Sequence, residues 1–293
     1  MSNTNMNDLL KARKRAQAKE IWRRMRKNRL AMVGLAILMV FAFAAIFAGL
    51  IIPEGKELFQ GYQRLQGPSA EHWFGTDHLG RDIFSRIVYG SRISLTLGLA
   101  TTAISLTIGG LLGATSGYIG GRTDDLIMRI MDMLACVPAM LLALAIIAAL
   151  GTSIRNLLIA ITVASVPGFT RIVRAAILSV VGQEYIEAAQ CCGMSDLRII
   201  QRHIIPNAIG PIIVEATMAV SGMIITASSL SYLGMGIQPP NPEWGAMLSE
   251  GKDHMRNKPH LVLFPGLCIV LAALSLNLLG DGLRDALDPR LKN

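Results

Sequence analysis

The sequence predicts an all-α polytopic membrane protein with six transmembrane helices, and three observations carry that prediction. The composition is the first: 52% of the 293 residues are apolar and only 16% are charged, against about 25% charged in an average soluble domain. The second is how the apolar residues are gathered. A bilayer core about 30 Å thick takes roughly 20 consecutive apolar residues as a helix. Residues 30–52, 93–121, 133–154 and 261–280 run for 23, 29, 22 and 20 positions without a charge. The third is the placement of positive charge, which gives the runs a common orientation.

The chain opens on a basic tail, residues 1–29, with ten Lys or Arg between Lys11 and Arg29. Positive residues beside a span mark the cytoplasmic side, so residues 30–52 leave the cytoplasm as the first helix. Two less clean runs complete the set. Residues 156–170 hold only 15 uncharged positions and are interrupted by Pro167, and residues 207–238 carry Glu215. Six spans return the tail 281–293 to the cytoplasm. In that topology 19 Lys and Arg face inward and 9 outward. The stretch 53–92 lies outside, 171–206 inside, and the proline-rich loop 239–260 outside. The chain thus divides into a basic tail (1–29), a first helix with its external segment (30–92), a five-helix domain (93–280) and a C-terminal tail (281–293). A cleaved signal peptide is not expected, because its apolar region runs about 7–15 residues and this one is 23. The basic tail is a topology signal that touches anionic lipid and not a nucleic-acid site, since Trp22 is its only aromatic and it abuts a span.

Cys136, Cys191, Cys192 and Cys268 form no disulfide framework: two lie in spans and two are adjacent. His72, His78, His254 and His260 fall in the outer segments, but none is paired at helix spacing and no cysteine joins them, so no metal site is expected. A phosphate-binding loop needs G-x-x-x-x-G-K-[ST]. The Gly-Lys pairs here, Gly55-Lys56 and Gly251-Lys252, are each followed by an acid. Any ATP-derived energy must therefore enter through a separate subunit.

Residues 184–207 read E-Y-I-E-A-A-Q-C-C-G-M-S-D-L-R-I-I-Q-R-H-I-I-P-N. Good helix formers run to Cys192, and Gly193 closes the helix because it tolerates φ > 0. Ser195 then caps a second helix, with Asp196 near its positive end, which is expected to stop near Pro206. Ala188 and Ala189 give the first helix a small-residue surface that another protein can approach closely.

Glu187-Ala188-Ala189, then Gly193, then the apolar stretch closing at Pro206 resembles the EAA loop of ABC importer permeases. A second signature, Phe74-Gly75-Thr76-Asp77-His78-Leu79-Gly80-Arg81-Asp82-Ile83-Phe84-Ser85-Arg86, is similar to the segment after the first span in dipeptide, oligopeptide and nickel permeases. Asn277-Leu278-Leu279-Gly280-Asp281-Gly282-Leu283-Arg284-Asp285 fits the same family, and the likeness is greatest to the C-type member of a heterodimeric pair.

The resemblance implies a type I importer permease. Glu187, Ala188, Ala189, Gly193 and Pro206 form a coupling helix docked to a cytoplasmic ATPase. Its implied partners are a second homologous permease, two ATP-binding subunits and an extracytoplasmic substrate-binding protein. ATP and Mg would be used by those subunits, with no cofactor bound by this chain. The implied cargo is a di- or oligopeptide; nickel or another small solute is the alternative within the family, and proton-coupled secondary transport the alternative outside it.

Gly75 and Gly80 allow tight turns in the outer segment, Thr76 or Asp77 is expected to cap a short helix, and Asp82 and Arg86, four apart, to pair along one face. With Arg81 these residues are expected to shape the outer mouth and dock the binding protein. Glu215, Ser221, Ser228 and Ser229 are the candidates for lining the pathway, because an intramembrane acid is costly to bury and span five is rich in small residues. Asp132 is expected at the cytoplasmic mouth beside Arg129.

Overall fold

A computed structural model of the chain describes residues 16, 19–53, 55 and 61–287. Lys11, Arg13, Lys14 and Arg15 of the basic tail, and Arg290 and Lys292 of the C-terminal tail, lie outside the described residues. Among the described residues the structure is helical, with one isolated bridge between Thr76 and Asp82 and no sheet.

Helix α1, Arg29–Ile46, is capped by Asn28, whose side chain accepts from the Ala31 N–H. A short turn, α2 (Ala48–Ile51), extends it. Helix α3, Ile83–Ile119, begins ten residues before the apolar run because Asp82 supplies an N-cap, accepting from the Ser85 N–H at 2.8 Å. Its 37 residues make a rod of about 55 Å, longer than the hydrocarbon core is thick. Helix α4, Gly121–Ala135, and helix α5, Ala139–Leu150, meet at 80° across a break at Pro138.

This corrects the reading of residues 133–154 as one clean span. The 12 residues of α5 reach only about 18 Å. Among the described residues five helices are long and apolar enough to cross a membrane, and up to six if the bent α4–α5 pair is one span.

Helix α6, Ile154–Val181, runs through Pro167 and 11 residues past the expected end of its span at Thr170. Helix α7, Glu184–Cys191, is followed by α8, Asp196–Ile199, a π turn, Ile200–Ile204, and α9, Ile205–Tyr232, which together form one helix of 37 residues. The expected stop at Pro206 does not occur. A proline inside an α-helix clashes with the carbonyl four residues back and leaves it unbonded; here the ladder widens to π spacing just before Pro206, which sits in the first turn of α9. Helix α10, Trp244–Gly251, and helix α11, His260–Leu287, complete the chain.

The core is built on α3 and α6. Gly109, Gly113 and Gly117 form one stripe of α3, four residues apart. A Cβ at Gly113 would lie 2.5 Å from the Thr170 carbonyl oxygen, and one at Gly109 2.7 Å from the Phe169 Cβ. The two backbones therefore touch, as small-residue stripes allow in lipid. Beside this seam Leu97, Leu157, Ile161 and the seam residue Phe169 pack with Ala227 and Leu230 of α9. Helix α1 lies against α11 through its buried face of Ala31 and Gly34.

Candidate functional site

Two constructions stand out, one at each end of the bundle. The first is the α7–α8 hairpin. Its turn is a complete Schellman motif. The Met194 N–H bonds the Ala189 carbonyl at 3.2 Å, the Gly193 N–H bonds the Gln190 carbonyl at 2.9 Å, and Gly193 takes φ +73°. The sharp glycine turn expected from the sequence is present. Met194 tucks into an apolar cluster with Ile186, Ala189, Ile199 and Ile204, which closes on Val173, Ala176, Ile177 and Val180 of α6. The hairpin is thereby fixed to the last three turns of α6. The Tyr118 hydroxyl at the end of α3 donates to Asp196 at 2.6 Å, and Arg174 grips Asp124 of α4 through Nε and Nη2 at 2.6 and 2.5 Å. Arg171 pairs with Asp132 at 2.7 Å, so the partner of Asp132 is Arg171 and not Arg129.

Glu187 and Ala188 are exposed on the outward face of α7, with Glu184 and Cys191 beside them. Glu184 and Glu187 lie in its first turn, where the helix dipole favours them. Ala189 is turned inward and only 9% exposed; it holds α7 against α6 and is no part of the small-residue surface expected of it.

The second construction is the segment 61–82 packed against α10. Asp77, Arg81 and Arg86, all 5% exposed or less, meet Glu250 of α10. The Asp77 Oδ2 accepts from Arg81 Nε at 2.6 Å and from Arg86 Nη1 at 2.7 Å. Glu250 accepts from Arg81 Nη2 at 2.8 Å and from Arg86 Nη1 at 2.6 Å. Two acids and two guanidiniums cancel, which is the arrangement that makes burying charge tolerable. Burial raises the Asp77 carboxyl, but the guanidiniums of Arg86 and Arg81 and the Arg81 backbone N–H outweigh it and hold the group below the usual carboxylate range.

The expected Asp82–Arg86 pair does not form. Asp82 is taken by its capping role and by His72 Nδ1 at 3.0 Å, and Asp82, not Thr76 or Asp77, is the cap. Gly75 and Gly80 do make left-handed turns, φ +81° and +79°. Because Asp77, Arg81, Asp82 and Arg86 are buried, they shape this end of the bundle from within instead of presenting a contact surface.

Glu243 and Trp244 belong to a stretch, Pro242-Glu243-Trp244-Gly245, that is similar to the same permease family, but the sequence assigned them no role. Glu243 is fully buried and caps α10 through the Ala246 N–H at 2.8 Å; its other oxygen accepts from Ser228 at 3.1 Å and Ser94 at 3.3 Å. Burial pushes its carboxyl up, against the N–H groups of Gly245 and Ala246 and the hydroxyls of Ser231 and Ser228. The Trp244 indole N–H donates to the Ile87 carbonyl at 3.1 Å. Residues 242–246 are thus a wedge driven between α3 and α9. A buried acid next to tryptophan in a polar loop was the available signal.

Two pathway candidates are buried inside the bundle. Ser228 is buried against Glu243, and Ser221 is buried and hydrogen-bonded to Asn277 at 2.7 Å. Ser229 is exposed, with its hydroxyl returned to the Ile225 carbonyl. Glu215 lines an open groove of about 570 Å³ with Arg284, Ile172 and Asn207. His78 stacks on His254, ring centroids 6.2 Å apart, and among the described residues no three His, Cys, Asp or Glu are grouped to hold a metal ion.

A helical membrane bundle with an amphipathic helical hairpin clamped to one end is the framework of an importer permease. Residues 80–293 match the family described as binding-protein-dependent transport system inner membrane component, and residues 16–68 match the N-terminal transmembrane domain of oligopeptide transport permease C. The chain belongs to this family of inner membrane permeases of ABC importers.

It is 48% identical over 275 residues to the dipeptide transport system permease protein of Alkalihalophilus pseudofirmus, covering 94% of this chain and 90% of that one. It is 48% identical over 274 residues to the glutathione transport system permease protein of Shigella sonnei, covering 93% and 90%. Among solved structures it resembles the inward-facing MetNI methionine ABC transporter, with a TM-score of 0.59 at 17% identity, covering 70% of this chain and 98% of that chain. An amino acid ABC transporter gives a TM-score of 0.51 at 18% identity, covering 69% and 94%. These two likenesses concern the fold. Membership of the family implies ATPase and binding-protein partners and a multi-pass location in the inner membrane.

Proposed function

We propose that this chain is the C-type half of a heterodimeric permease that imports short peptides, and that the outward face of α7 is where an ATPase subunit docks. The observation that carries the reading is the α7–α8 hairpin. A rigid turn at Gly193 presents Glu187 and the small Ala188 to a partner, while Ile186, Ala189, Ile199 and Ile204 bind the hairpin to α6 and so to the core. Movement of a docked ATPase is then passed to α6 as a rigid-body displacement, which is how two-state access changes are made. In this reading Pro206 keeps α8 in line with α9, so the push also reaches the fifth span. ATP and Mg are handled by two ATPase subunits, this chain carries out no hydrolysis and binds no cofactor, and a binding protein delivers substrate at the end bearing α10. Both termini face the cytoplasm. The peptide cargo is supported by the names of the relatives at 48% identity.

The test is reconstitution. The chain with its partner permease, ATPases and binding protein should take up di- and trialanine into vesicles only with ATP, and the chain alone should hydrolyse none. ATP-independent uptake driven by a proton gradient would overturn the assignment. Orientation is checked by cysteine labelling in a background without the native four. Cysteines at Gln66 and Asn257 should react with an impermeant thiol reagent in intact cells, and one at Gln190 only after lysis.

A further inference from the structure

The groove between α6, α9 and α11 holds two charges, one acid and one base. Glu215 stands on α9 and Arg284 on α11, and neither has an ion-pair partner among the described residues. The neighbouring acid Asp285 is engaged by Asn28 at 3.2 Å.

The two charges are level with each other. Ser221 bonds Asn277, and a Cβ on Gly280 would lie 2.5 Å from the Met218 Cγ. These two pairings fix α9 and α11 as antiparallel, in a register that sets Arg284 opposite Val214. At 1.5 Å per residue, Glu215 lies about 4.5 Å and Arg284 about 6 Å beyond the Met218–Gly280 contact, toward the end that carries α7. An acid, half-buried, and a guanidinium, exposed at the mouth, therefore face the same open space at one height, with no ion pair among the described residues. The remaining wall is largely apolar, with Ile172, Val214, Met218 and Leu287. The volume of about 570 Å³ falls within the range of about 300–1,000 Å³ usual for small-molecule sites.

We propose that Glu215 and Arg284 are the two ends of a subsite for a zwitterionic peptide, Glu215 accepting its α-ammonium and Arg284 donating to its α-carboxylate. The inference rests on the peptide-importer reading and adds to it where the cargo is held after release from the binding protein and which ends are recognised. The apolar wall between the charges reads no particular side chain, as a carrier of varied short peptides requires.

The test uses the complete permease–ATPase complex in nanodiscs, without nucleotide or binding protein, and equilibrium dialysis of radiolabelled dialanine, N-acetyl-dialanine and dialanine amide. Wild type should bind dialanine saturably and each blocked peptide about tenfold more weakly, the effect of one charge-assisted hydrogen bond. Glu215→Gln should weaken dialanine about tenfold and leave N-acetyl-dialanine unchanged. Arg284→Gln should do the same with dialanine amide as the indifferent ligand, and Arg284→Lys should restore most of the binding. The wild-type comparison of free and blocked ends decides the matter even if a variant fails to assemble. Absence of saturable binding, equal binding of blocked peptides, or variants that weaken all three ligands alike would overturn the subsite. If the wild-type complex still imports di- or trialanine in vesicles, only the subsite falls; if it imports neither, the peptide reading falls with it.

Discussion

Replacing Gly193 by valine isolates the α7–α8 turn, proposed above to couple to an ATPase, from everything around it. Gly193 holds φ +73°, and a Cβ placed there meets nothing within 4 Å. The whole penalty is then conformational. A left-handed backbone costs an L-residue roughly 1–2 kcal/mol, and a β-branched side chain stands at the upper end or beyond it. Escape from that strain breaks the 2.9 and 3.2 Å bonds of the turn and swings α8 relative to α7. The effect should follow backbone tolerance and not size: asparagine, which visits this region readily, nearly neutral, alanine intermediate and valine worst. In vesicles of the complete transporter, Gly193→Val should reach wild-type abundance and pair with the second permease. Its peptide uptake per ATP hydrolysed should fall by a factor of about 5–30, the equivalent of one or two kcal/mol. Normal uptake by Gly193→Val would refute the reasoning, as would an asparagine variant as impaired as the valine one, since the turn would then be a mere connector.

Three other perturbations follow from the packing. Glu250→Ala removes one acid from a quartet whose guanidiniums are 1% exposed; leaving buried charge uncompensated costs about 3–5 kcal/mol, so the melting temperature of the purified complex should drop well below that of an Asp253→Ala control on the exposed turn. The Asp77 carboxyl is held below its usual range in the folded protein, so its contribution is complete above about pH 5, where an unfolded aspartate is ionised, and is lost as the pH falls through the folded value; acid unfolding of the wild type should be steeper than that of Asp77→Asn, and parallel curves would contradict the assignment. Gly113→Leu forces a side chain into a gap that places even a Cβ 2.5 Å from the Thr170 carbonyl, whereas Gly110 faces open space; overpacking of about 1–3 kcal/mol or more should deplete Gly113→Leu from the membrane and spare Gly110→Leu, as read by quantitative blotting.

The parts of this fold legible in the sequence are those governed by local rules. Apolar runs located α1, α3, α9 and α11 because a bilayer imposes length, and Gly193 announced its turn because a reversal between two helices needs φ > 0. A proline at 206 points to a helix end, but a π turn over 200–204 absorbs it, and nothing in those residues marks that choice. The break at Pro138 was hidden inside a run that satisfied the length criterion without being straight. The ion pairs of Arg81 and Arg86 with Glu250 join positions 169 and 164 residues apart, so spacing along one helix pointed to the wrong partner for Arg86. The glycine stripe of α3 was present in the sequence as a four-residue repeat; what the sequence did not supply was the helix it lies against.

The α3–α6 seam sets the mechanical gain of the molecule. With its backbone seated against α3, α6 cannot slide or bow easily, and its 28 residues behave as a stiff lever about 42 Å long. A tilt of about 5° about one end carries the other through about 4 Å, close to the breadth of an extended peptide backbone. If the hairpin takes up an ATPase's movement as proposed, a stroke of a few ångströms there, delivered without compliance, would match a passage of molecular width at the far end.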